Sequence, residues 1–173
     1  FDPRAVTRML AEYRDRTSVG ARLLAAGYPV LASNRTDAFA KSNYKQAVPI
    51  LQTMIEMEIP LAFQTRGGDG IDDILPSLPP SYWYVSICSM DDEVRRRVEP
   101  GAPSIESRFD LIRTLTEQGH TVVLGLNPVV PDWLPEGPGA LLRAAQDAGA
   151  VGVWTESMHL SKRQVERIDR RGT

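Results

Sequence analysis

The sequence predicts an α/β protein whose mainly parallel sheet forms an incomplete, TIM-like β/α barrel. Short apolar runs alternate along the chain with segments in which apolar residues recur at helical spacing. The runs are apolar throughout, which is typical of parallel strands covered on both faces. About five β/α units are counted in 173 residues, whereas a complete barrel of eight units needs about 250. We therefore expect a single domain over residues 1–173 that forms the major part of a partial barrel.

Five strands are expected from runs rich in apolar, aromatic and β-branched residues. The clearest is TVVLGL at 121–126, and YWYVSI at 82–87 follows a double proline. The five predicted strands are 28–32, 59–63, 82–87, 121–126 and 151–154.

Helices are expected between these strands, and several begin with a capping residue. Asp2 precedes a proline, Ser104 precedes an amphipathic segment, and Ser161 opens a capping box. The predicted helices are two pieces ending near residue 26, then 43–57, 72–78, a segment before the turn at 99–103, 104–119, 141–148, and a basic last helix from 161.

Composition excludes some function classes. The net charge of −2 gives no overall attraction to nucleic acid. The single cysteine excludes an internal disulfide framework and a multi-cysteine zinc site, and it is typical of a reducing compartment, so we expect a cytoplasmic protein. No apolar run approaches the roughly 20 residues that cross a bilayer, so no membrane partner is expected.

Polar side chains follow the predicted strands. Because the carboxyl ends of parallel strands meet at one edge of the sheet, these side chains predict a ligand site there. Arg66 is suited to a carboxylate, while Thr36, Asp37 and Ser86 are suited to an ammonium group or ribose hydroxyls. The polar residues at these strand ends include Asn34, Thr36, Asp37, Gln64, Thr65, Arg66, Ser86, Asn127, Glu156 and His159.

Other residues are assigned structural roles. His120, next to a helix-ending glycine, is expected at the surface, and Trp154 is expected in the core. The run GGDG at 67–70 lacks the spacing of a phosphate-binding loop and predicts a tight turn. The arginine run at 95–97 predicts a solvated helix face.

Several motifs occur together in a fixed order: SNRTDAF at 33–39, QTR at 64–66, VSICSMD at 85–91, EPGAPS at 99–104 followed by Arg108, and GLNPVVP at 125–131. In this order they resemble the radical S-adenosylmethionine (SAM) superfamily, and within it the spore-photoproduct-lyase-like ("DNA repair photolyase") branch. The resemblance spans roughly residues 28–160. It implies a partial (β/α)6 barrel that holds SAM and a [4Fe–4S] cluster. In that family the amino and carboxylate groups of SAM chelate one iron, and reductive cleavage yields a 5′-deoxyadenosyl radical.

The resemblance also implies roles by position. Asn34 and Thr36 would lie near the amino group of SAM, and Arg66, in place of the lysine often found there, would hold its carboxylate. Ser86 would reach the ribose. Glu99 and Arg108 would brace the loop rather than take part in chemistry. The expected cofactor-binding residues are Asn34, Thr36, Asp37, Thr65, Arg66, Ser86, Leu126, Asn127 and Pro128, of which the last three would pass beside the adenine.

The chain departs from the family at the cluster. The family binds its cluster with a CxxxCxxC loop, but the only cysteine here is Cys88 on a later strand, so no metal ligand is expected in this chain. We expect that loop upstream of Phe1 and the isolated chain to be inactive. One alternative is a non-catalytic barrel that serves binding or assembly. Another is a conventional barrel lyase or isomerase using Arg66, Asp37 and Glu156 in acid–base roles. The substrate is not predicted, and the DNA lesion that the branch name suggests gains no support from the net charge.

Overall fold

A computed structural model describes residues 12, 17–32, 36–156 and 166. Five parallel strands form its sheet, and each strand pairs with the next one along the chain. The sequential order is that of a β/α barrel rather than of a doubly wound sheet, in which the order reverses. In the described sheet β1 and β5 are the edges, so the barrel is open and the predicted fold class is confirmed. The strands are β1 (Val30–Ala32), β2 (Leu61–Thr65), β3 (Tyr82–Ser86), β4 (Thr121–Leu126) and β5 (Gly152–Thr155).

Helices alternate with the strands, and three of the five described helices begin at side-chain caps. Ser104 accepts a hydrogen bond from the Ser107 amide at 3.2 Å, which confirms the predicted cap. Asp91 accepts one from the Glu93 amide at 2.7 Å. The helix expected over 72–78 is reduced to a single 3-10 turn, because prolines lie within and after that segment. The helices are α1 (Val19–Ala25), α2 (Tyr44–Glu56), α3 (Asp92–Val98), α4 (Ile105–Glu117) and α5 (Gly139–Asp147).

The core lies on one face of the sheet. Phe63, Trp83 and Leu124 are fully buried there, and the Phe63 and Trp83 rings stack with centroids 4.1 Å apart. On the opposite face Leu31 and Tyr82 are exposed. The expectation that both faces are covered is therefore wrong for the described part of the chain. The physical reason is that the second face of a barrel sheet is the barrel's inner face, and an open barrel leaves it accessible.

One surface assignment was wrong, and a second holds only in part. His120 is buried, and its Nδ1 accepts a hydrogen bond from the Ser81 amide at 3.2 Å. The reason is that α4 ends just before Gly119 and the chain turns at once into β4, so His120 lies beside the core ring of Trp83. In the arginine run, Arg96 and Arg97 are exposed as predicted, but the Arg95 side chain is only 13% exposed, and its Nη2 lies 2.8 Å from Asp92 Oδ2.

The glycine run forms the tight turn that the sequence predicted. Gly68 has a φ of +154°, and a Cβ there would lie 2.1 Å from the carbonyl oxygen of Phe39. The next amide, that of Asp69, donates to the same oxygen at 3.0 Å. The turn therefore needs glycine for a close approach of two backbone segments.

Some predictions concern residues outside the described ranges. They are the site candidates Asn34 and His159, the helix expected to begin at Asp2, and the capping box at Ser161. None of the helices in the described ranges is long and apolar enough for a membrane span.

Candidate functional site

A cavity of about 440 Å³ opens at the carboxyl ends of the strands, on the open face of the sheet. We call it the rim cavity. All five strands, or the residues that directly follow them, contribute to it. Its lining consists of Leu31, Gln64, Tyr84, Ser86, Gly125, Asn127, Trp154 and Glu156.

The strand register arranges this lining in rows. Gln64 pairs with Tyr84 across β2 and β3. One row further along, Ser86, Gly125 and Trp154 pair across β3, β4 and β5. Because alternate residues of a strand face the same side, these two rows share the open face. Parallel pairing thus brings side chains that are far apart in sequence into one cavity.

Gly125 leaves a gap in the floor of the rim cavity. It lies between Ser86 and Trp154, and it contributes no side chain. A Cβ at Gly125 would lie 3.4 Å from the Cα of Ser86, which is a tight contact. Two strand spacings, roughly 10 Å, separate β3 from β5, and the missing side chain at Gly125 leaves open space between them.

An aromatic wall bounds this gap. The rings of Tyr84 and Trp154 meet edge to face, with centroids 6.3 Å apart. Trp154 is 49% exposed, so its assignment to the core is wrong. It lies on an edge strand and faces the inner side of the barrel, where the described residues place no helix over it. Tyr84, Leu31, Gly125 and Trp154 were all missed from sequence, because a buried and a cavity-facing apolar residue look alike in a continuous apolar strand.

A hydrogen-bonded polar pair lines the rim cavity just beyond the ends of β4 and β5. Asn127 Nδ2 donates to Glu156 Oε2 at 3.0 Å. No lysine, arginine or histidine lines the rim cavity among the described residues. With one carboxylate and no cation, the cavity favours a neutral or cationic ligand that carries hydrogen-bond donors.

Arg66 lies in a second cavity of about 610 Å³ beside the turn after β2. Its side chain is 50% exposed, and its Nε lies 2.7 Å from Glu99 Oε1. The structure therefore brings Ser86 and Asn127 together but places Arg66 in a neighbouring cavity. The second cavity is lined by Asp37, Phe39, Ala40, Lys41, Ser42, Arg66, Gly67, Gly68, Asp69, Pro100, Gly101, Ala102 and Pro103.

Asp37 and Thr65 hold the turn between these cavities. The Asp37 carboxylate accepts hydrogen bonds from Thr65 Oγ1 at 2.9 Å and from the amides of Arg66 and Phe39 at 2.8 and 3.0 Å. Thr65 is buried, and its hydroxyl also accepts from the Gly67 amide at 2.8 Å. Because the Asp37 carboxylate accepts from three donors, Asp37 and Thr65 hold the backbone at Arg66 and Gly67 in place.

A buried ion pair supports the end of β3. Arg108 Nη1 lies 2.7 Å from Glu99 Oε2 and donates to the Ser86 carbonyl at 2.7 Å. Arg108 Nε donates to the Pro103 carbonyl at 3.1 Å. These contacts match the bracing role expected of Glu99 and Arg108. They connect the Ser86 backbone, through Glu99, to Arg66.

The remaining candidates differ in access. Leu126 is buried on the core face and does not line the rim cavity. Pro128 is half-buried directly after Asn127, and Thr36 is exposed. Asn34 lies outside the described residues.

The residues present do not fit an iron–sulfur cluster. Cys88 is the only cysteine and is 2% exposed. Burial, together with the nearby Glu99, raises the pKa of its thiol to about 11, whereas a cluster ligand is a thiolate. The described ranges also contain no group of three or more His, Cys, Asp and Glu side chains that would hold a metal. A SAM ligand fits better, because the rim cavity combines an aromatic wall with hydroxyl, amide and carboxylate groups.

Of the comparisons with known proteins, one found no match and another found a relative. No protein-family model matches the chain. Over 115 residues it is 30% identical to a protein of Pseudomonas phage M6 named "Radical SAM Nalpha-GlyT isomerase". The match covers 64% of this chain and 23% of the phage protein, so the chain spans about a quarter of that relative. The similarity supports the radical SAM superfamily, but not the spore-photoproduct-lyase-like branch in particular.

Proposed function

We propose that this chain forms the SAM-binding part of a radical SAM enzyme, with SAM held at the carboxyl ends of its strands. The observation that carries the proposal is the rim cavity. It gathers Gln64, Ser86, Asn127 and Glu156 from four neighbouring β/α units at one edge of a sequentially ordered parallel sheet. The similarity to the phage radical SAM protein supports the same assignment.

The proposed contacts combine the lining of the two cavities with the positions that the resemblance implies for Leu126 and Pro128, which line neither cavity. Ser86 lies within reach of the ribose, and Asn127 with the main chain of Leu126 and Pro128 lies beside the adenine. Arg66, from the neighbouring cavity, takes the carboxylate. This division agrees with the charges, since the rim cavity has a carboxylate and no cation among its described residues. The second cavity has the cations Arg66 and Lys41, beside the carboxylates of Asp37 and Asp69. Bound SAM supplies radical chemistry when one electron reduces it.

The cluster that supplies this electron is not held by these residues, since a single buried thiol does not replace three thiolates. Cluster ligands would therefore come from outside these 173 residues. The resemblance of the 99–108 segment supports a place in the spore-photoproduct-lyase-like branch. A lyase-type reaction on DNA is what that branch implies, and the net charge of −2 lends it no support.

A non-catalytic barrel is the second candidate, and the single buried cysteine favours it. The acid–base alternative is less favoured. Asp37 is already occupied by three donors, and Arg66 lies in a different cavity from Glu156.

Calorimetric titration of the protein with SAM tests the proposal. We expect saturable binding with one SAM per chain. Trp154→Ala removes the larger of the two rings of the aromatic wall and should weaken binding at least about fivefold, because stacking of a base on an aromatic ring contributes about 1–3 kcal/mol. Val151→Ala is the matched control: it truncates an exposed apolar side chain beside β5 that does not line the cavity, and it should leave the affinity unchanged. A wild-type protein that takes up no SAM would overturn the proposal.

A further inference from the structure

We propose that Glu156 is a specificity-determining residue whose carboxylate accepts hydrogen bonds from the two vicinal hydroxyls of the ligand's ribose. The inference rests on the proposed function, because it assigns a recognition role within the same cavity. It goes further by predicting which nucleosides the cavity accepts and which it rejects.

The first observation is that Glu156 is held in place. Asn127 donates to its Oε2 at 3.0 Å, and the Val129 amide lies 3.4 Å from its carbonyl oxygen. These contacts join the segment after β4 to the segment after β5. Asn127 is thus a positioning residue that fixes the carboxylate in the rim cavity, and orientation before binding reduces the entropy cost of recognition.

The second observation is that the carboxylate has acceptor capacity to spare. Its Oε1 makes no hydrogen bond within the described ranges, and Oε2 accepts only from Asn127 there. A carboxylate has about four lone-pair sites on its two oxygens, so several are left for a ligand. A ligand that covered these acceptors without bonding to them would incur a desolvation cost, and a ligand with suitable donors avoids that cost.

The third observation is the absence of a cation among the described lining residues. Arg66 is two residues after the lining residue Gln64, but its side chain pairs with Glu99 and lines the second cavity instead. Among the described lining residues only Asn127 donates to Glu156, so the remaining acceptor sites are open to donors of a ligand. Two adjacent hydroxyls match the two oxygens of a carboxylate.

The arrangement across the strands favours hydroxyls of a ring. Ser86 on β3 and Glu156 after β5 lie on opposite sides of the gap at Gly125, with the Trp154 ring in the same row as Ser86. A nucleoside fits this arrangement with its base against the aromatic wall and its ribose between a hydroxyl and a carboxylate.

The test compares adenosine with 2′-deoxyadenosine and 3′-deoxyadenosine by calorimetry, on the wild-type protein and on Glu156→Gln. Glutamine keeps the size of the side chain and removes its charge. We expect wild-type protein to prefer adenosine by about tenfold or more, because hydrogen bonds to a charged group contribute about 1.5–3 kcal/mol. Glu156→Gln should reduce this preference to less than about threefold. Glu136→Gln, a substitution at an exposed glutamate that does not line the cavity, is the matched control and should keep the preference.

The outcomes separate this inference from the proposed function. Equal binding of all three nucleosides by wild-type protein, or an unchanged preference in Glu156→Gln, overturns the role of Glu156 while SAM binding stands. Loss of affinity for cationic SAM without loss for neutral S-adenosylhomocysteine in Glu156→Gln also overturns it, because the carboxylate would then read positive charge. If wild-type protein takes up neither adenosine nor SAM, both proposals fail.

Discussion

Glu99 Oε2 lies 2.7 Å from Arg108 Nη1, and the two side chains are 8% and 0% exposed. Removing two charges from water is costly, so such a pair persists only when other contacts compensate. Here Arg108 also donates to the carbonyls of Ser86 and Pro103, and the other oxygen of Glu99 meets Arg66. Apart from the ion pair itself, neither Glu99 Oε2 nor Arg108 Nη2 has a hydrogen-bond partner in the described part of the chain. The few contacts that the pair makes offset the cost of burying the two charges, so losing one partner should be destabilising.

Glu99→Ala should destabilise the protein by about 3–5 kcal/mol, because it leaves the guanidinium of Arg108 buried without a counter-charge. The free energy of unfolding in urea measures this loss. Arg96→Ala is the control: it breaks an exposed ion pair to Asp92 and should cost less than about 1 kcal/mol. A Glu99→Ala protein as stable as Arg96→Ala would contradict a structural role for the buried pair.

The stability of the protein should fall as pH decreases from about 7 to 5.5, owing to His120. Burial lowers the pKa of His120 below its ordinary value of 6.5, so in this range the unfolded chain binds a proton that the folded chain does not. Excess protons on the unfolded state make stability rise with pH, by up to about 1.4 kcal/mol per pH unit for one group. Urea unfolding at several pH values measures the slope.

Two variants isolate the contribution of His120. His120→Asn keeps an acceptor for the Ser81 amide but does not titrate, so the slope between pH 7 and 5.5 should flatten. His159→Gln removes the other histidine of the chain and should leave the slope contributed by His120 in place. An unchanged slope in His120→Asn would show that the imidazole is not the group responsible.

Cys88 should be almost inert towards thiol reagents in the folded protein. Burial raises the pKa of its thiol to about 11, so at pH 8 only about one molecule in a thousand carries the reactive thiolate. Reaction with Ellman's reagent should be slow in buffer and complete within minutes in concentrated urea. Rapid reaction without denaturant would show that the thiol is accessible and acidic.

The strands could be predicted from sequence because short apolar runs rich in β-branched residues favour strands over other structures. The face that each residue presents could not. Trp83 and Trp154 both lie in apolar strands, but Trp83 packs in the core and Trp154 lines the rim cavity. What separates them is whether a helix covers that face, and this depends on how far the barrel closes.

The candidate site shows the same limit. Ser86 and Asn127 were expected at the shared edge because each follows a strand, and register alone brings them into one cavity. Arg66 also follows a strand, yet its side chain is drawn aside by Glu99, which lies 33 residues further along the chain. An ion pair of that sequence separation has no local pattern.

Anaerobic incubation of the 173-residue protein with iron and sulfide should produce no [4Fe–4S] cluster. Its only thiol is buried with a raised pKa, and three thiolates are needed for a site with one open iron. Visible absorbance of the cluster and the iron content per chain measure the result. Stoichiometric cluster formation would contradict both the placement of Cys88 and the view that the ligands lie elsewhere.

Arg66→Ala should weaken SAM binding by about 1.5–3 kcal/mol, the usual effect of losing a charged hydrogen bond, and by the lower end of that range because the side chain is half exposed. This corresponds to an affinity loss of about tenfold, measured by calorimetry. Glu99 takes only the Nε of Arg66, so the terminal nitrogens are left to face the ligand carboxylate. Arg66→Lys should recover part of the affinity, since lysine keeps the charge but loses the planar fork. Arg97→Ala, at an exposed arginine on α3, serves as the control and should bind SAM like the wild-type protein. Unchanged affinity in Arg66→Ala would remove Arg66 from the site and confine the ligand to the rim cavity.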